Sequence, residues 1–228
     1  MTSPIRTYRF LTMLTCLGSM FLIAGLVLQN YLTDLESILV FSATIYIFPF
    51  VGITLDIISE LYDYTESRKS LWTIVGCHLG FALIIYFAMK LQGPPYWSTY
   101  LNEFHKTFES ILKNASIASI AVLIGQWCNI LLISKLRKLT SGKYFALRSI
   151  ASGIVGETVT VILALSFMFS SSLNTAQLFK LIGSELAVMY FLNIVLAILG
   201  TGVLFFLKMY EYKADKDSII KDNFKVKN

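Results

Sequence analysis

The sequence predicts an all-α polytopic membrane protein with six transmembrane helices and both termini on the cytoplasmic side. Three observations carry that expectation. The 228 residues are 56% hydrophobic and only 14% charged, with a mean hydropathy of +0.67, against roughly 25% charged residues in a soluble domain. Apolar runs of about 20 residues, the length that spans a hydrocarbon core of about 30 Å, recur along nearly the whole chain. Lysine and arginine fall in alternate segments between those runs, which sets an orientation. By length the chain is one domain over 1–228, ending in a short charged cytoplasmic tail at about 211–228.

The first helix is expected over 8–29. It follows Arg6 and Arg9, but it exceeds the roughly 7 to 15 residues of a signal-peptide core and no small-x-small cleavage site follows, so it reads as a retained helix. The segment Asn30 to Glu36 has no basic residue and leads to the second helix, 38–61. Arg68 and Lys69 then precede the third helix, 71–91. The loop Gln92 to Ser110 carries Pro94-Pro95 followed by Tyr96, Trp97 and Tyr100, a turn leading into aromatics suited to the membrane interface. The fourth helix is expected over 111–133, followed by Lys135, Arg137, Lys138, Lys143 and Arg148. The fifth, 149–169, and the sixth, 178–207, flank Ser170 to Gln177, again without Lys or Arg. The tail from Glu211 alternates Lys with acids and reads as a solvated extension of the sixth helix. The segments assigned to the cytoplasm hold about fifteen of the 19 basic residues.

The net charge of +5 does not point to nucleic acid, because the basic residues follow topology and form no stripe with interleaved aromatics. Cys16, Cys77 and Cys128 lie inside apolar runs and read as small packing residues, an odd count giving no disulfide framework.

Strongly polar residues inside the apolar runs need a physical reason, since Asp, Lys or Arg at a helix centre costs about 2.5 to 3.5 kcal/mol on insertion scales. They are Asp56 and Glu60 in the second helix, His78 in the third, Gln126 and Asn129 in the fourth, Glu157 and Thr160 in the fifth, and Glu185 and Asn193 in the sixth. At about 1.5 Å of rise per residue, Asp56, His78, Gln126 and Glu157 come out roughly 8 to 12 Å from the cytoplasmic ends of their spans. Asp56 and Glu60 are i,i+4, Gln126 and Asn129 are i,i+3, and Glu185, Met189 and Asn193 step along one stripe. A shared polar cavity satisfies them economically. Bland readings stand beside this one: Gln126 and Asn129 also serve as interhelical glue, Glu60 as a snorkelling acid and His78 as a packed, hydrogen-bonded residue. Asp56 and Glu157 resist such readings, because a short carboxylate in the core needs a partner, a proton or a ligand. No enzyme motif accompanies them, and with only His78 and His105 a histidine-rich metal site is not expected.

Two segments carry a resemblance. Ile47-Phe48-Pro49-Phe50, then Leu55-Asp56-Ile57-Ile58-Ser59-Glu60-Leu61-Tyr62 and Arg68-Lys69, resembles the second-helix signature of the queuosine precursor transporters, a vitamin uptake transporter family. Gly125-Gln126 through Asn129 to Lys135-Leu136-Arg137, with Leu147-Arg148-Ser149-Ile150-Ala151-Ser152 and Gly156-Glu157, is similar to that family's fourth helix, basic loop and fifth helix. The motifs cover about a third of the chain. The resemblance implies salvage of a 7-deazaguanine for tRNA modification, such as queuine or the 7-cyano or 7-aminomethyl precursor, across the bacterial inner membrane, without a cofactor. It implies a substrate site at Asp56, Gln126 and Glu157, to which Asn129, Glu185 and Asn193 are added, with His78 and Glu60 as candidates for proton coupling. A guanine-like edge offers adjacent N–H donors to a carboxylate, and its carbonyl and ring nitrogen suit an amide; Trp127, Tyr46 and Phe50 are candidates to stack on the ring. Two departures stand out: Thr160 occupies the place of an expected Asp and Met189 that of an expected Lys, so an acid and a base are lost together and an altered substrate preference is expected. The competing classes are a substrate-binding subunit of an ATPase-coupled vitamin importer and an intramembrane acid–base enzyme. Beyond the lipid bilayer and the substrate, a homo-oligomer is left open.

Overall fold

The computed structural model describes residues 8–35 and 39–225; Arg6, Glu36 and the last three residues of the tail lie outside them. Five helices carry the chain: α1 (Leu11–Leu28), α2 (Phe48–Ala88), α3 (Ser98–Leu139), α4 (Phe145–Phe169) and α5 (Thr175–Lys225). Each is long and apolar enough to cross a membrane. The bundle is apolar outside and carries strongly polar side chains within an otherwise apolar interior: Met20, Ile84, Phe87, Phe167, Phe191 and Phe205 are exposed, while Asp56, His78, Gln126, Asn129 and Glu157 are buried. Water would penalise that outer surface and lipid does not.

The 41 residues of α2 do not run straight. Asp63 has φ 78 and ψ 171, a region almost reserved for glycine that costs a side-chain-bearing residue about 1–3 kcal/mol. Arg137 Nη1, 2.9 Å from the Asp63 carboxylate, holds the residue there. The chain folds back at this point. Ser67 Oγ donates to the Leu55 carbonyl at 2.9 Å, although twelve residues of straight helix would separate them by about 18 Å. A Cβ on Gly18 of α1 would lie 3.7 Å from Thr54 and 2.7 Å from Ile74, so both arms of α2, 48–62 and 64–88, pack on α1. The second and third expected helices are thus one interrupted element.

The expected second helix starts ten residues late. Its first part is strand β2 (Leu39–Ser42), paired antiparallel with β1 (Leu32–Leu35), followed by a 3-10 turn over Ala43–Tyr46. A short apolar run does not by itself separate strand from helix, and Pro49 sits in the first turn of α2, where its fixed φ and missing N–H are tolerated. The expected loop Gln92 to Ser110 is also mostly helix, because α3 begins at Ser98 after a 3-10 turn over Pro95–Trp97. Polarity marked that segment as loop, but Phe104 and Phe108, i,i+4 with ring centroids 4.4 Å apart, support a helical turn. The tail does extend the last helix, since α5 runs to Lys225. The cysteines are free thiols, and Cys16 and Cys77 are exposed on outer faces instead of packed.

Small residues set the closest crossings, as they do where helices pack in lipid. A Cβ on Gly125 of α3 would come within 2.5 Å of the Gly156 carbonyl, and one on Gly156 of α4 within 2.8 Å of the Gly125 carbonyl. The two backbones therefore touch. Gly156→Val is expected to lower stability by about 1–3 kcal/mol through overpacking, read as a lower melting midpoint in detergent. Gly76→Val, where an added Cβ meets nothing within 4 Å, is expected to leave that midpoint nearly unchanged.

Candidate functional site

The first arm of α2, with α3, α4 and α5, brings five predicted polar residues into one buried cluster. Asp56 Oδ1 accepts from Asn129 Nδ2 at 2.8 Å, and its Oδ2 accepts from Ser149 Oγ at 2.5 Å. Asn129 Nδ2 also reaches Gln126 Oε1 at 3.3 Å. Across the cleft, Glu157 Oε2 accepts from Asn193 Nδ2 at 3.3 Å. A glycine makes room for one of these side chains: a Cβ on Gly153 would collide with the Asn193 amide at 2.2 Å, while one on Gly52 would only reach ordinary contact with the Gln126 amide at 3.7 Å. Between them, walled also by Pro49, Ile53 and Leu196, lies a cleft of about 10 Å³, room for about one water.

The predicted layer does not include His78 or Glu185. His78 Nδ1 pairs with Ser119 Oγ at 2.8 Å, and Glu185 Oε2 accepts from the Ser42 backbone N–H at 2.7 Å. Both line a second cavity of about 70 Å³, otherwise mostly apolar, toward the end of the bundle marked by Gln29 and Met168. Helical rise alone gave His78 the depth of Asp56, but the fold-back at Asp63 and the longer second arm shift it. Thr160 and Met189, the two departures, both line this second cavity. The stripe of α5 thus serves both spaces, Asn193 facing one and Glu185 and Met189 the other.

Glu60 lies at the opposite end, in an ion cluster. Its carboxylate lies 3.0 Å from Arg148 Nη2, 2.8 Å from Lys208 Nζ and 3.6 Å from Arg137 Nε, so one acid on α2 ties α3, α4 and α5 together. Arg148 is only 2% exposed and also donates to the Lys143 and Gly142 carbonyls, closing the turn between α3 and α4. Sequence reasoning counted Arg148 as a loop charge and passed over Ser149. The available signal was their place at the start of an apolar helix, at the same predicted level as Glu60. Ser42 gave none, since its contact is made by the backbone.

None of the proposed stacking aromatics lines the cleft. Tyr46 packs edge-on to Phe41, Phe50 against Phe21, and Trp127 edge-on to Trp72. Among the described residues, no group of three or more His, Cys, Asp or Glu is placed to hold a metal ion.

A bundle of apolar helices around a buried acid and amide cluster defines a multi-pass membrane protein with an internal polar site, the form a solute carrier takes. The chain belongs to the family described as "Putative vitamin uptake transporter", whose model matches residues 42–207. That span contains every residue lining the cleft, from Pro49 to Leu196. No curated protein and no solved structure matches the chain.

Proposed function

We propose that the protein imports a queuosine precursor or salvage base, a 7-deazaguanine, across the bacterial inner membrane, as a single domain that crosses six times with both ends in the cytoplasm. The fold-back of α2 supports the count, because its two arms and the four other helices make six crossings. The gathering of Arg137, Arg148 and Lys208 around Glu60 supports the orientation, since these side chains come from segments assigned to one face by the positive-inside rule.

The observation that carries the substrate reading is the acceptor-rich cleft. Two carboxylates and the Asn129 carbonyl suit the adjacent N–H donors of a guanine-like edge, and Gln126 suits its carbonyl. A cleft of about 10 Å³ is far too small for a base, so binding requires helices to part. With α3 and α4 locked backbone to backbone at Gly125 and Gly156, that movement falls to the first arm of α2 and to α5. The larger cavity at the outer end, lined by Glu185, Thr160 and Met189, is the approach, where the departures act on preference. Cells lacking other importers and expressing this chain are expected to accumulate labelled queuine, 7-cyano-7-deazaguanine or 7-aminomethyl-7-deazaguanine. Glu157→Ala is expected to abolish the signal. Accumulation unchanged by that substitution sinks the site assignment, and no accumulation of any 7-deazaguanine sinks the substrate class.

A further inference from the structure

We propose that the closed cleft holds one small monovalent cation, of sodium's chemistry, between Asp56 and Glu157. The carboxylates lie within Coulombic reach of each other, and neither forms an ion pair with a basic side chain of this chain among the described residues. Arg148 lies within Coulombic reach of Asp56 but belongs to the Glu60 cluster, where Arg137, Arg148 and Lys208 already face Glu60 and Asp63. Three positive charges against two leave at most one to offset the two acids of the cleft. Burying the remaining negative charge costs several kcal/mol, which a bound cation removes.

The second observation is the Asn129 side chain. Its Oδ1 is buried and has no hydrogen-bond partner, while its Nδ2 is spent on Asp56 and Gln126. Exchanging the two amide atoms would set one oxygen against two others, so the orientation is determined by the bonds. Protonating the acids neutralises charge but supplies nothing new to that oxygen unless the proton points at it. A cation among Asp56, Glu157, Gln126 and Asn129 takes up both the charge and the unpaired lone pairs. Every ligand is oxygen, which selects a hard ion. A divalent ion of this kind needs six to eight oxygens or keeps several waters, and a one-water cleft provides neither.

The inference deepens the transporter reading of the same cleft and rests on it only for the use made of the ion: the cation steadies the closed form, and the base takes over the same acceptors when the helices part. Binding is measured without any base, so its failure leaves the import reading standing. Purified protein in detergent is equilibrated with ²²Na⁺ in choline chloride of constant ionic strength. One saturable site per chain is expected, displaced by NaCl at concentrations at least tenfold lower than KCl. Glu157→Gln, which keeps shape and removes charge, is expected to weaken binding tenfold or more, and Asp56→Asn to do the same. Glu66→Gln, on the exposed pair with Lys69, is expected to match the unmodified protein. Monodispersity on size exclusion qualifies each variant. The proposal is overturned by no saturable ²²Na⁺ retention, by equal displacement with KCl, or by retention unchanged in Glu157→Gln.

Discussion

Asp56→Asn is expected to reduce accumulation of the proposed 7-deazaguanine substrate by about 10- to 100-fold while folded protein is recovered at normal yield. The carboxylate is the hub of the cleft: Ser149 donates to one oxygen and Asn129 to the other, and under the proposed import of a 7-deazaguanine the remaining lone pairs accept from the base. An amide of the same shape keeps one acceptor and replaces the other by a donor. Ser149 can rotate its hydroxyl to accept from that donor, so the local fold survives. What is lost is the charge-assisted part of the contact with substrate N–H groups, and hydrogen bonds to a charged partner contribute about 1.5–3 kcal/mol, hence the factor stated. Initial uptake rates, normalised to protein in the membrane, measure it. A rate within twofold of the unmodified chain would remove Asp56 from the binding site.

Glu60→Gln is expected to be the most destabilising single substitution in the bundle, more so than Arg148→Met. Breaking a buried ion pair from one side costs about 3–5 kcal/mol, because the partner charge is left without compensation. Removing Glu60 strands the buried guanidinium of Arg148 together with Lys208 and part of Arg137. Removing Arg148 leaves Glu60 with its other two cations. The double variant is expected to recover most of the loss, since Lys208 and Arg137 are half and one-third exposed and can turn to water. Melting midpoints of the two single variants and the double variant in detergent give the coupling. If the two single losses simply add, the cluster is not the tie between helices that its geometry implies.

The legibility of the site followed the physics of each signal. Asp56, Gln126, Asn129, Glu157 and Asn193 stood out because lipid makes an unneeded polar side chain expensive, and the same cost drives them into one cleft. His78 and Glu185 stood out for the same reason, yet they face a different cavity, since depth along a span says nothing about rotation or about a break in the helix. The strands at Leu32–Leu35 and Leu39–Ser42 were hidden because hydropathy records how apolar a run is and not its backbone path.

The sequence by itself determined that this is a multi-pass helical membrane protein, which acids and amides lie in its interior, and that its basic residues cluster by segment. These follow from composition and spacing, quantities that each residue contributes almost independently. Only the tertiary structure decided that the expected turn between the second and third spans is a break at Asp63 within one element, that the polar residues divide between two cavities, and that Arg148 is a buried tie to Glu60 instead of a loop charge. Each of those depends on which atoms from distant helices meet, at crossings such as Gly125 with Gly156 where the absence of a side chain sets the geometry, and no local pattern encodes such a meeting.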